Sequence, residues 1–113
     1  MTIPTNKTPT KVEAQRIVNE LAEKSMISWS KHARDRMDLR SINTEQVLTC
    51  LAKGRVTDQP VLANKGGSAS GYDITVERSV AGDTLRIGVC LRFVSQMAHI
   101  VTVMKVDKPK KLK

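Results

Sequence analysis

The sequence has few aromatic residues, few cysteines and no long apolar run. Its aromatic side chains are Trp29, Tyr72 and Phe93, which disfavours the rows of stacked rings that many single-strand readers use. Cys50 and Cys90 lack CxxC or Cys/His spacing, so we expect two reduced, buried thiols, no zinc site and no disulfide framework. No apolar run approaches membrane-spanning length, and the first residues do not resemble a secretory signal. We therefore expect a cytoplasmic protein with no membrane partner.

The motifs of nucleotide-cofactor and metal chemistry are also missing. No GxGxxG or Walker loop occurs, and the pair Gly66-Gly67 opens no predicted helix. The acidic residues are scattered along the chain, without the clustering that one or two divalent ions require. Neither a GxSxG elbow nor the residue order of a Ser-His-Asp triad is present. We expect no cofactor and no bound metal.

The charge of the chain is strongly positive. Nineteen Lys and Arg against eleven Asp and Glu give a formal net charge of +8. Such a surface attracts polyanions, so RNA is the expected partner class. The alternative is a solvated basic surface with a flexible lysine tail. The rest of the chain is still rich in arginine, and the planar guanidinium group of arginine suits phosphate. These arginines are Arg16, Arg34, Arg36, Arg40, Arg55, Arg78, Arg86 and Arg92.

The length of 113 residues fits one hydrophobic core, because half of this chain would bury too little surface for a second one. Residues 1–9 contain two prolines and three threonines without periodicity and are predicted to be a flexible arm. Residues 10–106 are predicted to form a single domain. Residues 107–113, DKPKKLK, are predicted to be a basic tail.

Three predicted helices begin with capping signals. A hydroxyl or amide residue followed three positions later by Glu or Gln has the spacing of a capping box, which satisfies the first free backbone amides. The predicted caps and box partners are Thr10 with Glu13, Ser30, and Asn43 with Gln46. We expect the second helix to run to about Leu39, and Gly54 to end the third in a left-handed turn.

Beyond Gly54 the apolar residues no longer recur at helical spacing but at every second position, as in a strand. Residues 72–80 and 85–93 alternate apolar and polar side chains on either side of a turn, which predicts a hairpin. Residues 97–106 are largely apolar and predict the most covered strand. Residues 55–63 are a further candidate strand, which Pro60 confines to an edge or a bent end. The predicted fold is α+β, with N-terminal helices packed on a three- to four-stranded antiparallel sheet.

The candidate chemistry lies in His32, Arg36 and Arg40, which follow one another at four-residue steps and so share one face of the second predicted helix. Metal-free RNA cleavage needs a group that exchanges a proton near neutral pH, and fixed cations for the charge on phosphorus. Histidine and arginine supply these two functions. The spacing alone favours a solvated helix face, because charged residues are common on helix surfaces. The role of His99, beside an apolar strand, stays open.

The predicted strands extend the candidate nucleic-acid surface. Arg78, Arg86 and Arg92 are expected to guide the RNA backbone. Regular strand alternation puts Thr102 and Lys105 on opposite faces, so both belong to one site only if a bulge intervenes.

The order of residues in SKHARDRMDLRSINTEQVLTCLAKGRV, GYDITVERS and AHIVTVMKV resembles the family of domain of unknown function 4258. The resemblance covers roughly residues 28–106 and leaves the first predicted helix outside. The matching residues are Ser30, His32, Ala33, Arg36, Met37, Arg40, Ile42, Val47, Gly54, Tyr72, Val101, Thr102 and Val103.

This resemblance implies a compact fold similar to that of RelE/ParE-like toxins and barnase-like nucleases. It also implies ribonuclease activity, often as a toxin that a cognate antitoxin or immunity protein inhibits. His32, Arg36 and Arg40 occupy the family's polar helix positions, and Thr102 its strand position. Ser41 stands where many members have glycine, which alters the turn but not the charges.

The leading hypothesis is a metal-independent endoribonuclease toxin, with His32 as the acid or base and arginines holding phosphate. A second hypothesis is a non-catalytic nucleic-acid-binding regulator, for which positive charge suffices. A third is a ParE-like toxin that binds another protein through the first helix. Cleaved RNA distinguishes the first hypothesis, and an acidic co-purifying partner without affinity for RNA distinguishes the third.

Overall fold

The fold is α+β, as predicted. The computed structural model describes residues 3–64, 66–80 and 82–106, so the predicted basic tail and the first two residues lie outside the described residues. The helices are α1 (Lys11–Glu23), α2 (Lys31–Leu39) and α3 (Thr44–Lys53), and a short 3-10 turn spans Gly67–Ala69. The strands are β1 (Ile27–Trp29), β2 (Arg55–Val56), β3 (Val61–Ala63), β4 (Gly71–Val80), β5 (Asp83–Arg92) and β6 (Ala98–Val106).

The sheet is larger than predicted and is mixed rather than purely antiparallel. Its strands follow the order β1-β6-β5-β4-β2, and β3 also pairs with β4. β1 runs parallel to β6, while the other pairings are antiparallel. β1 has only three residues and no alternation, so no local pattern predicted it. The candidate strand at residues 55–63 is two short strands, β2 and β3, separated by the segment that contains Pro60.

The predicted helix starts are confirmed. Thr10 Oγ1 accepts a hydrogen bond from Glu13 N, and the Glu13 carboxylate accepts one from Thr10 N at 2.8 Å. Asn43 and Gln46 form the same reciprocal pair before α3. Each box satisfies backbone amides that have no partner within the helix.

The left-handed turn predicted at Gly54 is wrong. Gly54 is extended, with φ −83° and ψ −176°. A glycine is nevertheless required there, because an added Cβ would lie 2.7 Å from the carbonyl oxygen of Glu77 and would also overlap that of Cys50. Ser41, in the turn between α2 and α3, is one of the residues that do adopt the left-handed conformation, with φ +54°.

The core lies between one face of the sheet, called here the inner face, and helices α1 and α3. α1 buries one stripe of side chains at helical spacing: Ala14, Ile17, Val18, Leu21 and Ala22. The inner face contributes alternate residues of the strands, including Ile87, Val89, Leu91, Ile100 and Val103. Both Cys50 and Cys90 are buried and unbonded to each other, as predicted.

α2 lies along the edge of β6 beyond the end of β1. Ser30 N donates a hydrogen bond to Ile100 O at 3.0 Å, which ends the pairing of β1 with β6. Ser30 Oγ donates to Val101 O at 3.1 Å and accepts from Ala33 N at 2.9 Å. One hydroxyl therefore caps α2 and attaches its first turn to the sheet edge.

A bulge in β6 changes which face its last residues occupy. Gly88 pairs with Thr102 and Val89 with Ile100, so Val101 has no partner on β5. Regular alternation would group Thr102 with Ile100. Because of the bulge, Thr102 lies on the opposite, outer face, while Val103 and Lys105 follow Ile100 on the inner face. Thr102 and Lys105 remain on opposite faces.

The segment before α1 packs against the domain where the sequence predicts a flexible arm. Ile3 is buried, and its backbone N–H and C=O bond the Gln96 side chain at 2.7 and 3.2 Å. Tyr72 Oη donates to Lys7 O at 3.0 Å. The apolar side chain of Ile3 and the backbone bonds explain why this proline-containing segment is ordered despite its lack of periodicity. No helix in the described ranges is long and apolar enough to cross a membrane.

We expect Ile3→Ala to destabilise the protein by about 2–5 kcal/mol, because it removes a fully buried branched side chain. Val12→Ala is the matched control, since the Val12 side chain is 64% exposed, and we expect a change below about 0.5 kcal/mol. Urea unfolding followed by circular dichroism measures both. Equal, small effects of the two substitutions would contradict the packing of Ile3.

Candidate functional site

Three predicted site residues form one ridge on α2. The ridge is defined by His32, Arg36 and Arg40; His32 is exposed and the two arginines are half-buried. Ala33 and Met37 on the same helix are buried and hold it against the domain. Arg36 Nε donates a long hydrogen bond of 3.4 Å to His32 Nε2. In this arrangement Nε2 carries the lone pair of a neutral imidazole.

Arg40 belongs to the same ridge but has a different contact. Its Nη1 donates to Val103 O at 3.4 Å, so the side chain reaches the edge of β6. The fold therefore brings His32 and Arg36 into contact and leaves Arg40 one turn further along, at a backbone carbonyl. Three cavities lined by described residues have volumes of about 380, 370 and 280 Å³, and the ridge residues line none of these three.

The three strand arginines do not share one surface. Arg86 lies on the outer face, where its Nε bonds Glu77 Oε2 at 2.5 Å. Arg92 follows six residues later on β5, about 20 Å along the strand. It is half-buried, and its Nε has no hydrogen-bond partner within the described part of the chain. Arg78 pairs with Leu85 in the register and so faces the inner side. A single RNA path does not contact all three.

Thr102 lies on the outer face beside Gly88. A Cβ added to Gly88 would lie 2.6 Å from Thr102 Oγ1, so the missing side chain leaves room for this hydroxyl. Thr102 and Arg86 occupy the same face of neighbouring strands, two residues apart in register. They form the part of the predicted nucleic-acid surface that the sheet brings together.

A second histidine on the outer face was left without a role by the sequence. His99 Nδ1 and Ser28 Oγ are 2.8 Å apart, across the parallel pairing of β1 with β6. Ser28 thus orients the imidazole ring. The two residues lie 71 positions apart in sequence, and the short strand that carries Ser28 has no recognisable pattern. Only the register of the sheet reveals this pair.

The cavity of about 380 Å³ was also missed. It lies between the first turns of α3 and the adjoining ends of β4, β5 and β6, and Arg78, Leu85 and Lys105 are among its lining residues. One signal was available in the sequence: Arg78 stands in the same strand phase as Ile74 and Val76, which are buried on the inner face.

Cys50 forms part of the wall of this cavity and is chemically inert at neutral pH. Burial raises the pKa of its thiol from 9.0 to about 12, with a smaller opposing effect of the Arg78 charge. The thiol is therefore protonated at neutral pH, and the Cys50 side chain acts as apolar surface in the cavity wall. Within the described residues, no group of three or more His, Cys, Asp or Glu side chains is arranged to hold a metal ion.

Comparison with known protein families identifies the family of this chain. Residues 29–112 match the family model described as Domain of unknown function (DUF4258). The chain belongs to this family. The match begins at Trp29, the last residue of β1, and includes the ridge, strands β2 to β6 and the 380 Å³ cavity. It leaves α1 outside, as the resemblance predicted. No curated protein and no solved structure matches the chain. The relationship of the DUF4258 fold to RelE/ParE-like toxins stays a prediction.

The raised thiol pKa gives a pH-dependent stability. The Cys50 thiol keeps its proton up to about pH 12 in the folded state but loses it near pH 9 in the unfolded chain. Its contribution to the free energy of unfolding is therefore complete below pH 9 and is lost as the pH rises toward 12. We expect the free energy of unfolding to fall more steeply in the wild type than in Cys50→Ala, by at most about 1.4 kcal/mol per pH unit. Urea unfolding of both proteins from roughly pH 8 to pH 11 measures the difference. Parallel curves would contradict the burial of the thiol.

Proposed function

We propose that this DUF4258 protein is a metal-independent ribonuclease of the toxin type, in which the α2 ridge contacts the scissile phosphate. The observation that supports this proposal is the contact of the Arg36 guanidinium with the His32 imidazole on exposed helix surface, 3.4 Å from Nε to Nε2. It joins a proton acceptor to a fixed cation, which is the minimum that metal-free phosphodiester cleavage requires. In this proposal a cognate antitoxin or immunity protein inhibits the enzyme.

In the proposed reaction the incoming phosphate takes the Arg36 guanidinium away from His32 and so frees Nε2. The imidazole then accepts the proton of the 2′-hydroxyl while that oxygen forms a bond to phosphorus. The bond from phosphorus to the 5′-oxygen breaks, and the leaving oxygen takes a proton from solvent. The products are a 2′,3′-cyclic phosphate and a 5′-hydroxyl. Arg36 and Arg40 hold the non-bridging oxygens, on which negative charge increases.

The proposed RNA path leaves the ridge across β6 toward Arg86 and Thr102. The basis is that Arg40 reaches the β6 edge at Val103, and that Arg86 and Thr102 share the outer face of β5 and β6. Arg78 is not on this path, because it faces the inner side of the sheet. Arg92 lies about 20 Å from Arg86 and would contact only a longer strand.

A second candidate function is binding of nucleic acid without cleavage. It is favoured by the position of the ridge outside the three cavities described above, since most catalytic sites lie in concave surfaces that exclude water. In this case Arg36 and Arg40 contact phosphates, and His32 only packs beside Arg36. The two functions predict the same binding surface and differ in whether product forms.

We expect purified protein to cut RNA in the presence of EDTA, and His32→Ala to reduce the rate by at least about 100-fold while the circular dichroism spectrum is unchanged. The rate is followed with a fluorescently labelled oligoribonucleotide. Full activity of His32→Ala would remove this residue from the mechanism. Absence of cleavage by the wild type, with binding retained, would favour the non-catalytic function.

We expect Arg36→Ala to weaken RNA binding about tenfold or more, and to reduce the slope of log K against log salt by about 0.7 for one lost phosphate contact. Arg34→Ala is the matched control: Arg34 is an exposed arginine of the same helix, two residues away and off the ridge. Fluorescence anisotropy at several salt concentrations measures both. Equal losses for the two variants would mean that only net charge matters and that the ridge is not a site.

A further inference from the structure

The 380 Å³ cavity joins two cations to an apolar floor. Arg78 pairs with Leu85 on β5, and Leu85 pairs with Lys105 on β6, so the three residues form one row across the inner face. The bulge at Val101 is what turns Lys105 to this side. Leu85 is buried between the two charged side chains. The row lies at the end of the sheet, opposite the first turns of α3.

Both cations are available to a ligand. Neither the Arg78 side chain nor the Lys105 side chain makes a hydrogen bond or ion pair with another residue in the described ranges. Arg78 is half-buried and lines the cavity together with Cys50. Two unpaired cations on one wall favour an anionic ligand with several oxygen acceptors.

α3 adds neutral donors to the same cavity. In the capping box, Asn43 Oδ1 accepts from Gln46 N and Gln46 Oε1 accepts from Asn43 N, both at 2.8 Å. The oxygen of each side-chain amide is therefore occupied, and the two NH₂ groups remain free to donate. Both residues line the cavity, and so does the hydroxyl-bearing Thr49. The helix cap thus leaves two side-chain amide donors among the residues that line the cavity.

Two carboxylates restrict the kind of anion that fits. Glu45 and Asp83 also line the cavity and are exposed at its rim. They disfavour a bare phosphate, but they are suitable acceptors for the hydroxyl groups of a sugar. Leu85 and the protonated Cys50 add apolar surface beneath them. A volume of about 380 Å³ is at the small end of ligand sites and suits one nucleotide unit.

We propose that this cavity binds a ribonucleoside phosphate, with the phosphate between Arg78 and Lys105 and the sugar hydroxyls at Glu45 and Asp83. The ligand is either a free nucleotide or one unit of an RNA strand. For an RNA strand, the cavity would be reached by a second branch from Arg40, separate from the outer-face path to Arg86 and Thr102, since Arg40 bonds Val103 O only two residues, about 7 Å, before Lys105. This second source rests on the proposed function; binding of the free nucleotide does not.

The test uses the full-length, ¹⁵N-labelled protein titrated with four probes: a nucleoside 5′-monophosphate, the same nucleoside without phosphate, its 2′-deoxy monophosphate, and inorganic phosphate. We expect saturable shifts of the backbone amides of Glu45, Gln46, Leu85 and Lys105. The ribonucleoside monophosphate should bind at least about tenfold tighter than the nucleoside or inorganic phosphate. It should also bind tighter than the deoxy form. Equal binding of ribose and deoxyribose forms would overturn the assigned role of the two carboxylates.

Variants locate the site. We expect Arg78→Ala and Lys105→Ala each to weaken monophosphate binding about tenfold or more. Arg34→Ala is the matched control, because Arg34 is an exposed arginine that lines neither this cavity nor the ridge. Lys105 is exposed, so its variant carries the test if Arg78→Ala does not fold. Absence of saturable shifts in the wild type, or an equal loss in Arg34→Ala, would overturn the proposal.

An oligoribonucleotide separates the two ligand sources and the two proposals. Weaker oligonucleotide binding by Lys105→Ala identifies an RNA strand as the occupant, and unchanged oligonucleotide binding identifies the free nucleotide. If the monophosphate binds but RNA is never cut, the cavity proposal stands and the ribonuclease proposal fails. If RNA is cut but the monophosphate does not bind and Lys105→Ala cuts normally, the cavity proposal alone fails.

Discussion

The position of α2 depends on how the exposed edge of β6 is satisfied. β1 pairs with only three residues of that edge, and the carbonyl groups beyond it need other donors. Ser30 supplies two of them, through its backbone N–H and its hydroxyl, and Arg40 supplies a third at Val103. The same contacts set the orientation of the helix. Ala33 and Met37 are buried against the domain, which leaves His32 exposed and Arg36 half-buried on the helix surface.

Much of the fold could be predicted from local signals. The two capping boxes and Ser30 mark helix starts that the structure contains, and alternation over residues 72–93 gives the hairpin of β4 and β5. The rest depends on contacts between distant residues. β1 gains its partner 71 positions later, and Ile3 is ordered by Gln96. Such contacts leave no periodic trace in a segment of three to seven residues.

In the candidate site, too, local relations could be predicted from the sequence and contacts between distant residues could not. A four-residue step is a local relation, so the contact of His32 with Arg36 could be expected from spacing. The separation of the strand arginines onto two faces required the register of the sheet, although the phase of Arg78 with Ile74 and Val76 already indicated it. Gly54 was recognised as a necessary glycine for the wrong reason: close approach of two carbonyl groups demands it, not a left-handed turn.

The unpaired Val101 also affects how members of the DUF4258 family should be compared. In a member whose closing strand has the same number of residues but pairs with its neighbour without a bulge, the positions after Val101 would exchange faces: the counterpart of Met104 would point toward the helices, and that of Lys105 toward open solvent. Identical letters in one alignment column of the closing strand would then describe side chains on opposite sides of the molecule. Residues of this strand are comparable between relatives only when they are counted from the bulge.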